Sequence, residues 1–297
     1  MDDAPTIPRY RILRMLGEGG MGVVYEAEQL EPVRRRVALK LLKLGMDTKA
    51  FLGRFEGERQ ALAVMEHPNI TRVFDAGETE SGLPYFVMER VDGVPITEYA
   101  ATHRLTTHDR VRLFTQVCRA VQHAHQKGII HRDIKPSNVL VTEADGAPLC
   151  KVIDFGVAKA VAPAPGDAHL TQTGTPIGTP AYMSPEQVMG SGIDVDTRAD
   201  IYSLGVVLYE LLAGVLPFDP VTHPGWALLA QQVTQDAPAP SAHYGALGVA
   251  ARSELASERR TDPGSLRTAL AGDLDCVVLK ALEKDRERRY ATASALA

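Results

Sequence analysis

Hydrophobic and polar positions first divide the chain into a strand-rich part and a helix-rich part. Between residues 10 and 40, β-branched and other apolar residues flank a glycine-rich turn, LGEGGMG, which predicts three consecutive strands. Apolar residues recur at helical spacing over 48–65 and predict one helix, which Pro68 cannot continue. A further strand is expected over 85–91, YFVMERV. The N-terminal part is therefore predicted to be a small sheet with one helix.

Longer helical patterns dominate the sequence after residue 91. Helices are predicted over 105–127, 197–213 and 272–283. Two Pro- and Ala-rich stretches, 160–168 and 234–242, predict loops. The C-terminal part is therefore expected to be mainly helical.

The most apolar run, IYSLGVVLYELLAGVLPF at 201–218, resembles a membrane span in composition. It is short for crossing a bilayer, contains Glu210 and is closed by Pro217. Because the run is apolar all round, it predicts a helix in the protein core.

Composition narrows the function classes. The chain is 45% apolar and 23% charged, as in ordinary globular proteins, and its net charge of -5 gives no broad basic surface for nucleic acid. The first residues, MDDAPTIPRY, lack the apolar segment of a secretory signal. Three widely spaced cysteines, Cys118, Cys150 and Cys276, indicate reduced thiols and an intracellular compartment.

The segment IIHRDIKPSNVL, residues 129–140, carries the richest candidate chemistry. Its apolar ends predict two buried strands that hold a polar loop between them, an arrangement that presents functional groups on a rigid scaffold. In that loop Asp133 can orient a substrate hydroxyl, and Lys135 offers a positive charge for a transferring phosphoryl group. Asn138 supplies an oxygen ligand for a hard cation such as Mg²⁺.

Two further motifs suggest a phosphate site. Gly17, Gly19 and Gly22 precede strand-forming residues, which favours a hairpin whose backbone N–H groups approach phosphate. A dinucleotide-binding turn that opens a helix, or an ordinary glycine-rich hairpin, is the alternative. In VALK, Ala38 and Lys40 face one side of a strand, so Ala38 leaves room for a flat base while Lys40 reaches phosphate oxygens.

Glu58 falls within the apolar stripe of the helix predicted over 48–65. A buried carboxylate needs a partner, and Lys40 is the natural candidate; Glu56 is the competing acid, further from the stripe. Asp154, in KVIDFG, offers a second oxygen ligand at a turn. Together these residues predict phosphoryl transfer, in which catalysis depends on positioning and charge neutralisation.

The motifs GEGGMGVV, VALK, HRDIKPSN, DFG and GTPAYMSPE follow one another in this order, with Glu58 between the second and third. In this the chain resembles a bacterial serine/threonine protein kinase of the eukaryotic type. The resemblance implies an α+β fold of two lobes and the use of ATP with Mg²⁺, for which Mn²⁺ can substitute. The implied divisions are a tail over 1–9, an N-lobe over 10–90 and a C-lobe over 91–297, with an activation segment over 154–186 and an insertion at about 235–270.

The resemblance also implies residue roles. Asp133 would be the catalytic base, Asn138 and Asp154 the metal ligands, and Met88 the gatekeeper. Lys135 points to serine or threonine as the acceptor. The implied nucleotide-binding residues are Gly17, Gly19, Gly22, Val24, Ala38, Lys40, Met88, Glu89, Val91 and Leu140.

Supporting and regulatory roles follow from the same resemblance. Asp200 would brace the catalytic loop, and Thr179 would bond near Asp133 and Lys135. Glu186 would pair with Arg289, or alternatively with Arg288. Phosphate on the threonines of HLTQTGTP would pair with Arg132 and order the loop; the candidate phosphosites are Thr171, Thr173 and Thr175.

Other features favour plainer interpretations. His123, His125 and His131 predict structural roles more than a metal site, because no ligands at zinc spacing complete them. The charged stretch 251–267 predicts a solvated helix and loop more than a docking surface. The chain ends in ATASALA within a helical pattern, so a continuation beyond 297 that carries a sensor, repeat or membrane anchor is one expectation.

The expected protein is a cytoplasmic kinase of protein substrates, with homodimerisation for phosphorylation in trans. No nucleic-acid partner is expected, nor a membrane contact in this region. Two alternatives stay open: a pseudokinase that binds nucleotide or serves as a scaffold, and a kinase of small molecules. Lys40, Glu58, Asp133, Asn138 and Asp154 argue against the first. The segment GTPAYMSPE, which a small-molecule kinase does not need, argues against the second.

Overall fold

The computed structural model describes residues 5, 7–19, 22–43, 65–155, 180–190, 195–221 and 224–297. Several sequence predictions lie outside these residues. They are residues 48–64 of the helix predicted over 48–65, with Glu56 and Glu58, the loop over 160–168, the three candidate phosphosites Thr171, Thr173 and Thr175, and Thr179.

The N-terminal part is an antiparallel sheet of five strands in the order β1-β2-β3-β5-β4. The strands are β1 (Tyr10–Gly19), β2 (Gly22–Gln29), β3 (Arg35–Leu42), β4 (Val73–Glu78) and β5 (Pro84–Glu89). The three strands predicted before residue 40 are confirmed, and the strand predicted over 85–91 ends at Glu89. Gly22 has φ +155°, and a Cβ there would clash with the Leu41 carbonyl, so this turn requires glycine.

The C-terminal part is mainly helical and carries a small antiparallel sheet. That sheet consists of β6 (Val94–Pro95), β7 (Val139–Ala144) and β8 (Ala147–Val152). The first helices are α1 (Ile96–Thr102), α2 (Thr107–Gln126), α3 (Pro185–Met189), α4 (Arg198–Ala213) and α5 (Trp226–Thr234). They are followed by α6 (Pro240–Ala246), α7 (Val249–Glu258), α8 (Pro263–Leu270), α9 (Asp273–Ala281) and α10 (Ala293–Leu296). Short 3₁₀ turns lie at Pro136–Asn138, Pro180–Tyr182 and Arg286–Arg288.

Helix α4 is the centre of the C-terminal core, as its all-round apolarity predicts. Near its C-terminal end the inward Glu210 accepts a hydrogen bond of 2.7 Å from the Tyr182 hydroxyl. Burial raises the pKa of Glu210, and the hydrogen bond from Tyr182 only partly opposes that rise. Within the part of the chain that the structure describes, no helix is long and apolar enough to cross a membrane.

The strand predicted before the polar loop of residues 131–138 is wrong, because Ile129 and Ile130 belong to no strand. They follow α2, which ends where Gly128 takes φ +75°. The amide of Ile129 donates to Ala124 O at 3.0 Å, and that of Gly128 to His125 O at 3.0 Å. This is the usual glycine-terminated helix end, in which the next apolar residue folds back onto the helix. The strand predicted on the other side is confirmed as β7.

The predicted loop over 234–242 is also partly wrong, because α6 begins at Pro240. Proline at a first helical position sacrifices no hydrogen bond, so this proline starts a helix and does not interrupt one. The helix and loop predicted over 251–267 are present as parts of α7 and α8, but they are not merely solvated. Ala256, Arg259 and Leu266 are buried, and Arg259 donates to Leu211 O at the end of α4 at 3.2 Å.

Candidate active site

The polar loop between α2 and β7 brings three predicted residues into direct contact. Lys135 Nζ lies 2.9 Å from Asp133 Oδ2. Asn138 Nδ2 donates to Asp133 O at 2.8 Å and to Asp133 Oδ2 at 3.1 Å. The Pro136–Asn138 turn makes this possible, since it folds Asn138 back over the start of the loop. The Asp133 side chain remains 19% exposed, so a hydroxyl can reach it.

Asp200 anchors this loop to the start of α4, as the resemblance to protein kinases implies. It is fully buried at the start of α4 and accepts from the backbone amides of His131 and Arg132, both at 2.8 Å. His125 Nε2 lies 2.7 Å from the same carboxylate. Burial by itself raises the pKa of Asp200, but the hydrogen bond and charge of His125, together with His131, outweigh it and lower the pKa. Asp200 is therefore an ionised anchor for the loop.

Two of the three histidines of this region, His125 and His131, have polar partners, whereas the buried Nε2 of His123 has no hydrogen-bond partner among the described residues. His125 pairs with Asp200, and His131 Nε2 lies 2.9 Å from Ile153 O, next to Asp154. The His131 ring also contacts Phe155, with ring centroids 4.6 Å apart. These contacts join the polar loop to the segment that carries Asp154.

Lys40 and Asp154 connect the two parts of the chain. Lys40 lies on β3 and is 5% exposed, and its Nζ is 2.8 Å from Asp154 Oδ2. The partner proposed for Lys40 from the sequence, Glu58, lies outside the described residues. Asp154 adopts φ +65°, an uncommon conformation for a residue with a side chain, and Arg132 adopts φ +66°. Such strain is typical of functional sites.

The donor set around Asp154 fits a hard cation. Ile153 N donates to Asn138 O at 2.9 Å, which keeps Asn138 beside Asp154. Because the Asn138 amide nitrogen is used by Asp133, its amide oxygen is the atom that can ligate a metal. One carboxylate and one amide oxygen suit Mg²⁺, which is usually held by few protein oxygens together with substrate phosphates. Among the described residues, no three His, Cys, Asp or Glu side chains form a metal site on their own.

Most of the predicted nucleotide-binding residues lie on adjoining strands of the N-terminal sheet, whereas Leu140 belongs to the C-terminal sheet and Val91 to no strand. Val24 is directly opposite Lys40, and Ala38 is opposite Met88. Gly17 is paired with Val24, and Gly19 with Gly22, at the turn between β1 and β2. Leu140 lies on β7, opposite Pro95 of β6.

Beyond Met88 the chain passes from β5 to the C-terminal part. Glu89 N donates to Arg72 O at 2.9 Å and is therefore already used. The Glu89 carbonyl is the backbone group that can accept a hydrogen bond from a base. The Glu89 side chain pairs with Lys151 at 2.9 Å. Sequence reasoning missed this pair, which joins strands far apart in the sequence.

The predicted pairing of Glu186 with Arg289 is confirmed. The guanidinium contacts both carboxylate oxygens, at 2.7 and 2.8 Å. The alternative partner, Arg288, instead pairs with Glu283 at 3.2 Å. Gln187 Nε2 donates to Arg132 O at 2.8 Å, so α3 is tied to the polar loop as well.

Sequence reasoning also missed Glu26, whose carboxylate is contacted by three arginines. Its signal was available. Glu26 alternates in phase with Val24 on β2, where an inward carboxylate needs a cationic partner.

A small antiparallel sheet above a helical part, an inward lysine on β3 paired with an aspartate, and an Asp-Lys-Asn loop braced from α4 are together features of protein kinases. The chain belongs to the protein kinase domain family, whose model matches residues 10–297. The predicted family and the α+β bilobal fold are thereby confirmed. Members of this family use ATP and a divalent metal ion and act on proteins.

Named relatives agree with this assignment. Serine/threonine-protein kinase PknB of Mycobacterium tuberculosis is 40% identical over 292 residues, which cover 96% of this chain and 41% of the relative. Serine/threonine-protein kinase Pkn1 of Myxococcus xanthus is 39% identical over 290 residues, which cover 96% of this chain and 37% of the relative. The crystal structure of the Mycobacterium tuberculosis PknI kinase domain matches with a TM-score of 0.68 at 28% identity, covering 100% of this chain and 96% of that one. The chain thus spans about two fifths of the length of these curated relatives.

Proposed function

We propose that this chain is a serine/threonine protein kinase domain, which transfers the γ-phosphate of Mg·ATP to a serine or threonine hydroxyl of a protein. The observation that carries the proposal is the contact of Asp133 with Lys135 and Asn138, held by Asp200. This arrangement combines a proton acceptor, a cation and an oxygen ligand within one turn of chain. The names of the relatives support the choice of acceptor.

Each group has a defined part in the transfer. Asp133 accepts the proton of the substrate hydroxyl as that oxygen forms a bond to the γ-phosphorus. The bond from the γ-phosphorus to the β-phosphate oxygen breaks, and ADP leaves. Lys135 lies 2.9 Å from Asp133 and neutralises charge on the transferring phosphoryl group.

Lys40 and Asp154 position the nucleotide. Lys40 would contact the nucleotide phosphates, and Asp154 with the Asn138 amide oxygen would hold Mg²⁺. Bound Mg²⁺ supplies charge neutralisation on the phosphate oxygens; Mn²⁺ has the same charge and ligand preference. Ala38, Val24 and Leu140 would hold the adenine ring, backbone groups of Glu89 and Val91 would hydrogen-bond to it, and the glycines at 17, 19 and 22 would cover the phosphates.

Regulation by the threonines at 171, 173 and 175 is part of the proposal. Arg132 Nε is buried and has no hydrogen-bond partner among the described residues. A phosphate next to it would satisfy that donor and add about -1.5 to -2 charge to the loop. Phosphorylation in trans by a second copy, which requires a homodimer, and a cytoplasmic location both stay predictions.

The test is transfer of labelled phosphate from Mg·ATP to the chain itself and to a generic basic protein, comparing wild type with Asp133→Asn. Wild type should incorporate phosphate on one or more of Thr171, Thr173 and Thr175, as mapped by mass spectrometry. The variant should lose at least about 10³-fold in rate, because a proton acceptor and an electrostatic contact are removed together. Wild type that binds Mg·ATP tightly but transfers nothing, even after treatment with an active kinase, would instead support a pseudokinase.

A further inference from the structure

Glu26 on β2 is a buried carboxylate surrounded by arginines from three other segments. The residue is 2% exposed. Its carboxylate oxygens lie 2.8 Å from Arg14 Nε, 3.0 Å from Arg36 Nη1 and 3.1 Å from Arg90 Nε. Burial alone raises the pKa of Glu26, but the hydrogen bond from Arg14 and the charge of Arg90 lower it overall. The group is therefore an ionised centre that joins strands β1, β2 and β3 to the segment after β5.

The register of the sheet places Glu26 beside the proposed nucleotide site. Glu26 is directly opposite Ala38 in the β2–β3 pair and lies two residues after Val24 on the same strand. Opposite residues of an antiparallel pair share a face, as do residues two apart on one strand. Glu26 consequently faces the same side of the sheet as Val24, Ala38 and Lys40.

Arg90 connects this carboxylate to the hinge, here meaning residues 89–91 between the two lobes. The Arg90 side chain is 22% exposed, whereas those of Arg14 and Arg36 are 61% and 68% exposed. Solvent screens an ion pair less as its partners become more buried, so the Glu26–Arg90 contact is the least screened of the three. Arg90 also reaches the exposed Asp92, at 3.4 Å.

The neighbouring hinge residue is tied to the opposite lobe. Glu89 pairs with Lys151 of β8 at 2.9 Å. Glu26–Arg90 thus fixes the hinge to the N-terminal sheet, and Glu89–Lys151 fixes it to the C-terminal sheet. Both ion pairs restrain the hinge backbone, one toward each lobe.

We propose that Glu26 is a positioning residue for nucleotide binding, which holds the hinge backbone at the spacing from Ala38 that an adenine ring requires by anchoring Arg90. The inference rests on the proposed function, because it assigns a role within the ATP site. Glu26 itself contacts no reacting atom.

Charge and position make opposite predictions for Glu26→Gln. Removing the carboxylate leaves three arginines and raises the local positive charge, which by Coulomb attraction alone would strengthen binding of the polyanion ATP. Loss of the hinge anchor would weaken ATP binding. The hinge of the variant would be more mobile, and binding would have to order it at a cost in conformational entropy. The direction of the change therefore separates the two effects.

The experiment measures the Kd of Mg·ATP by calorimetry, and KM and kcat for ATP, on the full chain. Glu26→Gln and Arg90→Gln should each raise Kd and KM about tenfold with kcat little changed, the pattern of lost uniform binding. The double variant should raise Kd by no more than about tenfold over wild type, because the effects of two residues that act through one contact do not add. A thermal unfolding curve for each variant shows that it is folded.

Two matched variants serve as controls. Glu28→Gln removes a carboxylate two residues further along the same face of β2, where it pairs with Arg11 away from the hinge. Arg36→Gln removes an arginine from the same Glu26 carboxylate. Both should change the Kd of Mg·ATP less than twofold.

The outcomes are distinguishable. Wild type that binds Mg·ATP, with Glu26→Gln binding equally well or more tightly, overturns the inference and leaves the proposed function standing. An increase in Kd of about a hundredfold in the double variant, the product of the two single effects, also overturns the inference. Wild type that binds no Mg·ATP overturns the proposed function and the inference with it.

Discussion

Arg289 and Glu186 lie 103 residues apart in sequence, yet form a two-pronged ion pair in the C-terminal core. Neither side chain is more than 6% exposed. The same guanidinium also donates to the carbonyl oxygens of Glu283 at 2.7 Å, Arg198 at 2.9 Å and Lys284 at 3.1 Å. Arg289 thus fastens α3, the start of α4 and the segment after α9 to one another.

Glu186→Gln is expected to lower the free energy of unfolding by about 3–5 kcal/mol, because it leaves a buried guanidinium without its counter-charge. Chemical denaturation measures the change. Arg288→Lys is the control. Arg288 pairs with Glu283 at the surface, so its replacement should cost less than about 1 kcal/mol. Equal effects of the two variants would contradict the importance assigned to the buried pair.

Asp200→Asn should lower both stability and activity, because one amide oxygen cannot replace a carboxylate that accepts from His131, Arg132 and His125. The folded pKa of Asp200 lies below its unfolded value of about 3.9. Its ionised form therefore contributes stability above that pH, and the contribution is lost as pH falls through the folded pKa.

Denaturant unfolding of wild type and variant from pH 7 to pH 3 tests this. The difference in free energy of unfolding should stay constant down to about pH 5 and narrow below about pH 4. Asp145→Asn, an exposed carboxylate in the turn between β7 and β8, is a control for acid effects elsewhere in the chain. If the difference in free energy of unfolding between wild type and Asp200→Asn increased as pH fell, the predicted direction of the pH dependence would be wrong.

Lys284 predicts a pH effect in the alkaline range. Its Nζ is buried with no hydrogen-bond partner among the described residues and lies 4.8 Å from the Phe218 ring centre. Burial lowers the pKa of Lys284 to about 8, against about 10.4 in an unfolded chain. Between these values the unfolded state binds more protons, so this lysine makes the protein more stable as pH rises.

Comparing Lys284→Met with wild type isolates that contribution. The stability of wild type relative to the variant should increase from pH 8 to pH 10. Lys280→Met, which removes an exposed lysine over the Tyr290 ring, is the matched control. A relative stability that does not change with pH for Lys284→Met would disprove the prediction.

Gly205 allows α4 to approach α9 closely. A Cβ at Gly205 would lie 2.8 Å from Ala281 Cβ. Alanine gains about 1 kcal/mol over glycine in helix propensity, but overpacking of a core costs about 1–3 kcal/mol. Gly205→Ala is therefore expected to lower the melting temperature.

Gly245→Ala in α6 is the counterpart. Its nearest neighbour would be Arg267 Nε at 3.3 Å, on a flexible side chain that can move. Here the propensity gain should prevail, by up to about 1 kcal/mol. If both glycines respond alike, packing does not decide the outcome at Gly205.

The local periodicity of the sequence determined the strands before residue 40, the core helix α4 and the helices near 105–127 and 272–283. These patterns depend only on neighbours two to four residues apart, which the sequence displays directly. The order of the motifs determined the family, and with it the pairing of Glu186 with Arg289.

The tertiary structure decided what depends on distant neighbours. Ile129 and Ile130 have strand-like composition, yet a glycine turn folds them onto α2. Lys40 meets Asp154, and Glu89 meets Lys151, across lobes whose relative placement no local pattern encodes. Glu26 was recognisable as an inward acid, but its three arginines come from separate segments. Which of them reaches the hinge is set by strand register and lobe packing, and these depend on the folded chain as a whole.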